Sequence, residues 1–353
     1  MNIIFTGGGT AGSVIPLLSI YSEIRNKELD ASFLFIGTVK SEPEVSLLRG
    51  YSIKYTSIYC GKLRRYFDFK NVSDIFLTII GFSQSLYKIY KFKADVVVGA
   101  GGYVSVPVIW AGWILRKKII IHQQDIRPSL SNILTKNMAD RITVTFERSL
   151  RDYPSVKTVW TGNPVRSDIM QGDKERAYQT LKLKKSLPVI LVVGGGTGAT
   201  SLNLIVNQAL PEITKFSQVI HLTGKGKRIN STVSGNYQQH EFLNEEMGDA
   251  LAVADIVISR AGLSAITEFS ILSKPAILIP LPKSHQELNA EYYGDKKAAV
   301  IIKQKDLSPK ILVSKLRDML NDKQALSLLS SNISGIMKPD AAKKIADEII
   351  NLI

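Results

Sequence analysis

Two copies of one glycine-rich turn, one in each half of the chain, constrain the fold more than any other feature. The first is Asn2-Ile3-Ile4-Phe5-Thr6 running into Gly7-Gly8-Gly9-Thr10-Ala11-Gly12-Ser13. The second is Val189-Ile190-Leu191-Val192-Val193 running into Gly194-Gly195-Gly196-Thr197-Gly198-Ala199-Thr200. Each is a short apolar run that ends in glycines and passes into residues able to form a helix. Glycine lets the backbone turn sharply and approach a ligand closely. A helix starting there offers free N–H groups and a positive dipole end, which suits a phosphate. One such turn is weak evidence. Two at matching positions predict two Rossmann-like domains facing one cleft.

At 353 residues the chain has room for two domains, each with its own core. Candidate strands at 2–6, 33–37, 95–98, 118–122, 141–145 and 157–160 fill the first half. Those at 188–193, 218–222, 255–259, 275–279 and 299–302 fill the second. Most are near-continuous apolar runs, as expected of parallel strands buried on both faces. Helical patterns between them predict doubly wound α/β sheets. Thr161-Gly162-Asn163-Pro164 breaks the pattern, so the domains are expected at 1–162 and 163–338. A last helix over 339–353, with Ala342, Ile345, Ile349 and Ile353 on one face, is expected to return to the first domain.

The single Cys60 excludes an internal disulfide, and the four histidines are scattered without metal-ligand spacing. No Asp-x-Asp pair offers a carboxylate seat for Mg²⁺ or Mn²⁺, so neither a metal nor a cofactor is expected. No signal peptide and no apolar stretch of membrane-spanning length is read. The formal charge of +14 asks for an anionic partner. Nucleic acid is disfavoured, because no recognised binding motif accompanies the charge. The basic residues instead gather between 62 and 93, where Lys62, Arg64, Arg65, Lys70, Lys88, Lys91 and Lys93 alternate with Tyr66, Phe67, Phe69, Ile75, Phe76, Ile79, Ile80 and Phe82. That mixture suits an anionic membrane surface. It equally suits an amphipathic core helix with a solvated basic face.

An ordered series of motifs spans nearly the whole chain. After Gly7-Gly8-Gly9-Thr10 come Gly101-Gly102-Tyr103-Val104-Ser105-x-Pro107, His122-x-Gln124 and Gly162-Asn163-Pro164-Val165-Arg166. The second half adds Gly224-Lys225-Gly226, Ala254-Asp255-x-Val257-x-Ser259-Arg260-x-Gly262, Glu268 and His285-Gln286-x-x-Asn289-Ala290. In these the chain resembles the MurG family of peptidoglycan N-acetylglucosaminyltransferases, glycosyltransferase family 28 with the GT-B fold. The resemblance implies inverting, metal-independent transfer of GlcNAc from UDP-GlcNAc to the C4 hydroxyl of a muramoyl-pentapeptide on undecaprenyl pyrophosphate. It also implies a peripheral enzyme on the cytoplasmic face of the membrane.

By the same resemblance, the donor is bound by Arg166, Gly196, Thr197, Leu243, Arg260, Leu263, Ser264, Ala265, Glu268, His285, Gln286 and Asn289. Thr10, Ala11, Gly12 and Asp125 assist from the first domain. Glu268 would take the ribose hydroxyls and Leu243 would flank the uracil, while the amides of Leu263, Ser264 and Ala265 would face the pyrophosphate. Gly8, Gly9, Gly102, Tyr103 and Asn132 would line the acceptor side.

Two departures fall there. The family's Gly-Gly-His is Ala11-Gly12-Ser13, and its His-Glu-Gln-Asn is His122-Gln123-Gln124-Asp125. Both remove groups with acid–base potential. Asp125, two residues after the lost glutamate, becomes the candidate proton acceptor, with His122 next and Ser13, too weak a base unaided, last. Asp125 could instead simply cap its turn. A related transferase with another acceptor or sugar nucleotide, or a non-catalytic UDP-sugar-binding homologue, are the alternatives. A nicotinamide-dependent oxidoreductase is disfavoured, since the first turn is not Gly-x-Gly-x-x-Gly.

Overall fold

The structure, a computed structural model, describes residues 1–9, 11–40, 42, 44–62, 70–194, 199–231, 233, 235–243 and 245–353. The chain separates into two units, Met1–Arg166 with Lys338–Ile353, and Ser167–Met337.

In the first unit the order is β1 (Asn2–Thr6), α1 (Ala11–Asn26), β2 (Ser32–Thr38), α2 (Glu44–Leu48), β3 (Lys54–Ile58), α3 (Lys70–Phe92), β4 (Val96–Gly99) and α4 (Ser105–Ile114). Then follow β5 (Lys118–Gln123), α5 (Leu130–Thr135), β6 (Arg141–Val144) and β7 (Thr158–Trp160). All pairings are parallel and the sheet order is β3-β2-β1-β4-β5-β6-β7. The winding therefore reverses between β1 and β4. In an open α/β sheet the crevice beyond the strand carboxyl ends at such a reversal is where ligands bind.

The second unit runs α6 (Ser167–Met170), α7 (Lys174–Thr180), β8 (Val189–Val193), α8 (Thr200–Ile213), β9 (Gln218–Leu222), β10 (Tyr237–His240) and α9 (Met247–Val253). It continues with β11 (Ile256–Ser259), α10 (Leu263–Ile271), β12 (Ala276–Leu278), α11 (His285–Asp295), β13 (Val300–Ile301), α12 (Pro309–Asn321) and α13 (Lys323–Ser334). Its parallel sheet is ordered β10-β9-β8-β11-β12-β13, with the reversal between β8 and β11. Central strands are buried throughout: β8 and β9 carry no exposed residue. Two edge strands, β3 and β10, have no counterpart in the apolar-run pattern, because half-covered edges do not require one.

After Met337 the chain rejoins the first unit as α14 (Ala341–Leu352), packed along α1. Ile345, Ala346 and Ile349 join Val14, Leu17, Leu18 and Ile24 in one core cluster. Burying each of those isoleucines contributes roughly 2 kcal/mol. The amphipathic face is the one expected, except that Ala341 rather than Ala342 is buried and Ile353 is exposed. Lys27–Asp347 at 2.9 Å and Arg141–Glu348 at 2.8 Å flank the seam. Among the described residues, no helix is long and apolar enough to cross a membrane.

Candidate functional site

At the reversal in the first sheet, the turns after β1 and β4 touch through bare backbone. Gly9, Gly101 and Gly102 hold φ near +85°, the left-handed region that favours glycine. A Cβ on Gly102 would lie 2.6 Å from the Gly8 carbonyl oxygen, and one on Gly9 would lie 3.2 Å from the Tyr103 ring. Gly8, Gly9, Gly102 and Tyr103 are thus brought together. Burial, reinforced by Cys60, Glu44 and Asp74, pushes the Tyr103 phenol up, which favours its protonated, donating form.

The turn after β5 is locked from within. Gln123, 1% exposed, donates through Nε2 to the carbonyls of Asp125 and Arg127, both at 2.6 Å. Its Oε1 accepts from Asn132 Nδ2 at 2.5 Å and from the Tyr153 hydroxyl at 3.0 Å. All four hydrogen-bonding positions of the amide are used. Asn132 therefore spends its side chain on its own loop, also reaching the His122 carbonyl at 3.3 Å.

His122 is wholly enclosed, with Nδ1 2.9 Å from the Thr143 hydroxyl and Nε2 3.1 Å from Asn163 Oδ1. Burial lowers its pKa to about 4, against the hydrogen bonds that raise it. Both ring nitrogens are engaged inside the unit, so in this arrangement His122 is a neutral lock and not an open base. Asp125 is half-buried in the turn that Gln123 clamps. Ser13 is buried in the first turn of α1. Gly12 precedes it, and Arg166 ends the unit, half-buried.

In the second unit Arg260, Leu263, Ser264, Ala265, Glu268, Gln286 and Asn289 lie on or against the end of β11 and α10. Gly262 opens α10 with no side-chain cap, leaving the amides of Leu263, Ser264 and Ala265 without an intrahelical acceptor. Arg260, 5% exposed, reaches the Ile279 carbonyl at 3.0 Å and the Ser201 hydroxyl at 2.7 Å. No acidic side chain pairs with it among the described residues. Ser201 lies in the first turn of α8, another helix start without a side-chain cap. A buried cation beside two helix N-termini that carry no side-chain cap among the described residues is a region of positive potential.

Asn289 ties α11 to this strand end, donating to the Ala261 carbonyl at 3.1 Å; its Oδ1 is buried without a partner among the described residues. Gln286 anchors its Oε1 on the Leu281 amide at 3.0 Å, and its Nε2 faces Gly262. Glu268 lies nearly buried on the second turn of α10. His285 is exposed at the start of α11, and Leu243 is half-buried beyond β10. No group of His, Cys, Asp or Glu among the described residues could hold a metal ion.

Thr10, Gly196 and Thr197 lie outside the described residues, as do Arg64 and Arg65 of the basic segment; Ala11 begins α1. Along α3, Ile75, Phe76, Ile79 and Ile80 are exposed; Ile79 and Phe82 line a groove of about 280 Å³ with Trp110, Trp113 and Ile114 of α4. Lys88 points elsewhere, bonded to the Thr56 hydroxyl at 2.5 Å. Sequence reasoning missed one buried acid, Glu44, which lies beneath the first glycine turn. Nothing in its local sequence marks it, because its partners are 6 and 35 residues away.

The glycosyltransferase family 28 N-terminal domain matches residues 3–144, and the family's C-terminal domain matches 189–349. A Bacillus anthracis protein named UDP-N-acetylglucosamine–N-acetylmuramyl-(pentapeptide) pyrophosphoryl-undecaprenol N-acetylglucosamine transferase 2 is 38% identical over 338 residues, covering 94% of this chain and 95% of its own. A Clostridium kluyveri protein of the same name, without the numeral, is 36% identical over 356 residues, with 99% and 98% covered. Among solved structures, MurG of Acinetobacter baumannii superposes with a TM-score of 0.77 at 23% identity, over 99% of both chains. The Neisseria meningitidis UDP-GlcNAc 2-epimerase bound to UDP-GlcNAc gives 0.71 at 14%, over 99% of this chain and 100% of its own. These two likenesses concern the fold.

Proposed function

The chain belongs to glycosyltransferase family 28, and on that basis we propose that it transfers GlcNAc from UDP-GlcNAc to a muramoyl-pentapeptide on undecaprenyl pyrophosphate. The relatives' names supply the substrates. The observation that carries the reading to these residues is the second unit's positive site. The uncapped start of α10 lies next to buried Arg260, with Glu268 one turn further along the helix.

Transfer with inversion asks three things of the protein. The departing UDP develops negative charge, and preorganised amides with a buried cation stabilise it without reorganising. In this reading the α10 amides and Arg260 take that role, and Glu268 accepts from the ribose hydroxyls. The attacking C4 hydroxyl must lose a proton, worth about 10²–10⁴-fold when a positioned base accepts it. Asp125 is assigned that role, since Gln123 has no basic atom to offer and His122 is enclosed. The acceptor's lipid must be met at a membrane surface. The exposed apolar residues of α3 and α4 favour that over a core helix with a solvated face, and in this reading the enzyme acts peripherally, on the cytoplasmic side.

The test is turnover by the purified protein with UDP-GlcNAc and a short-chain muramoyl lipid, beside Asp125→Asn. GlcNAc transfer by the parent, with a fall of two or more decades in kcat for the variant and intact UDP binding, is expected. UDP binding without any transfer would overturn the enzymatic reading, and unchanged turnover in the variant would remove Asp125 from the role of base.

A further inference from the structure

Glu44, the first residue of α2, is 0% exposed. Its Oε1 accepts from the Gly9 amide at 3.0 Å and from the Thr38 hydroxyl at 3.0 Å. Its Oε2 is sealed from solvent and has no hydrogen-bond partner among the described residues. A Cβ built on Gly8 would collide with Oε1, so the carboxylate fills the space that a side chain at position 8 would take. From Gly9 the contact passes to the Tyr103 ring, and from Gly8 to Gly102. One acid thus underlies the whole junction of the two glycine turns at the sheet reversal.

Stability alone does not account for a carboxylate there. A glutamine of the same shape would accept both hydrogen bonds through its amide oxygen without burying a charge. A buried acid with one oxygen unmatched is the kind of group whose reason is sought in function. Its neighbours suit that reason: Tyr55 donates to the Thr38 carbonyl at 2.5 Å, and the Tyr55 and Tyr103 phenols are both pushed up, by burial first and with Glu44 adding to it. The negative charge thereby favours the protonated, donating form of both phenols, of which Tyr103 borders the turn.

We propose that Glu44 is a positioning residue for the acceptor substrate, its carboxylate fixing the Gly7–Gly9 turn against Gly102 and seating the Tyr103 ring on Gly9. This rests on the transferase reading, which gives the first unit to the acceptor. The role is one of placement, since Oε2 is enclosed and touches no solvent. Misplacing reacting groups by about 1 Å can cost on the order of a hundredfold in rate, so the charge and its tether need act only through the loop.

The experiment compares full-length parent and Glu44→Gln with UDP-GlcNAc and a short-chain muramoyl lipid, together with thermal unfolding and UDP titration. The expected result is kcat/KM for the acceptor reduced roughly ten- to a hundredfold, with KM for UDP-GlcNAc and UDP affinity unchanged and Tm equal to or above the parent's. Parental kcat/KM in the variant would overturn the proposal. So would a lowered Tm with lost UDP binding, which would make Glu44 a stability residue. A parent that binds UDP but transfers nothing would overturn the transferase reading, and this inference with it.

Discussion

Replacing Gln123 by glutamate should damage the first unit, although glutamate is what the family resemblance leads one to expect there. The amide nitrogen of Gln123 faces two carbonyl oxygens at 2.6 Å, those of Asp125 and Arg127. A carboxylate would keep the two contacts from Asn132 and Tyr153 but would set its other oxygen against those carbonyls. Two donated hydrogen bonds are lost, about 1 kcal/mol each, and a buried charge gains acceptors for neighbours, at about 1–3 kcal/mol more. The sum is roughly 3–5 kcal/mol at neutral pH. For a unit of this size, about 2–4 °C per kcal/mol puts the fall in Tm at roughly 6–20 °C.

The pH dependence of that deficit has a defined sign. Protonation returns one donor, so the new carboxyl titrates above its ordinary value of about 4.3 in the folded state. The stabilisation from its protonated form is present below the unfolded value and is lost as pH rises through the folded one. The Tm difference between parent and variant should therefore widen from pH 4.5 to 7.5, as followed by circular dichroism. A variant melting within about 2 °C of the parent at neutral pH would refute the reasoning and show that the turn rearranges freely around position 123.

Glu268→Ala should weaken UDP binding by about 1.5–3 kcal/mol per charged hydrogen bond lost, measured by calorimetry, whereas unchanged affinity would remove Glu268 from the donor site. Burial holds His122 and His221 at about 4 against an ordinary 6.5. Their neutral forms stabilise the fold above about 6.5, and this is lost as pH falls from there towards 4, about 3 kcal/mol each. Urea midpoints at pH 7 and pH 5 should show the drop, and a flat profile would contradict it. Serine at Ile75, Phe76, Ile79 and Ile80 removes about 1 kcal/mol of insertion per half-exposed side chain, so sedimentation with anionic vesicles should fall steeply, while parental binding would assign the patch another purpose.

The parts of this protein legible in its sequence are those where local chemistry leaves one solution. Val189 to Val193 is apolar at every position and buried throughout, as a parallel strand covered on both faces requires. Two such units and the amphipathic pattern of the last helix follow from sequence within a few residues. The edge strands do not: Lys54–Ile58 and Tyr237–His240 are half-covered and polar, and they are strands only because β2 and β9 present open hydrogen-bonding edges. The same holds for individual groups. His122 reads as a possible base until Thr143 and Asn163, 21 and 41 residues away, close on both ring nitrogens. Gln123 reads as a lost acid until its amide is seen to hold a turn that a carboxylate could not. Glu44 carries no mark in its local sequence, and folding places Gly8, Gly9 and Thr38 around it. Each of these roles depends on partners distant in the chain, and the tertiary structure alone decides which distant groups meet.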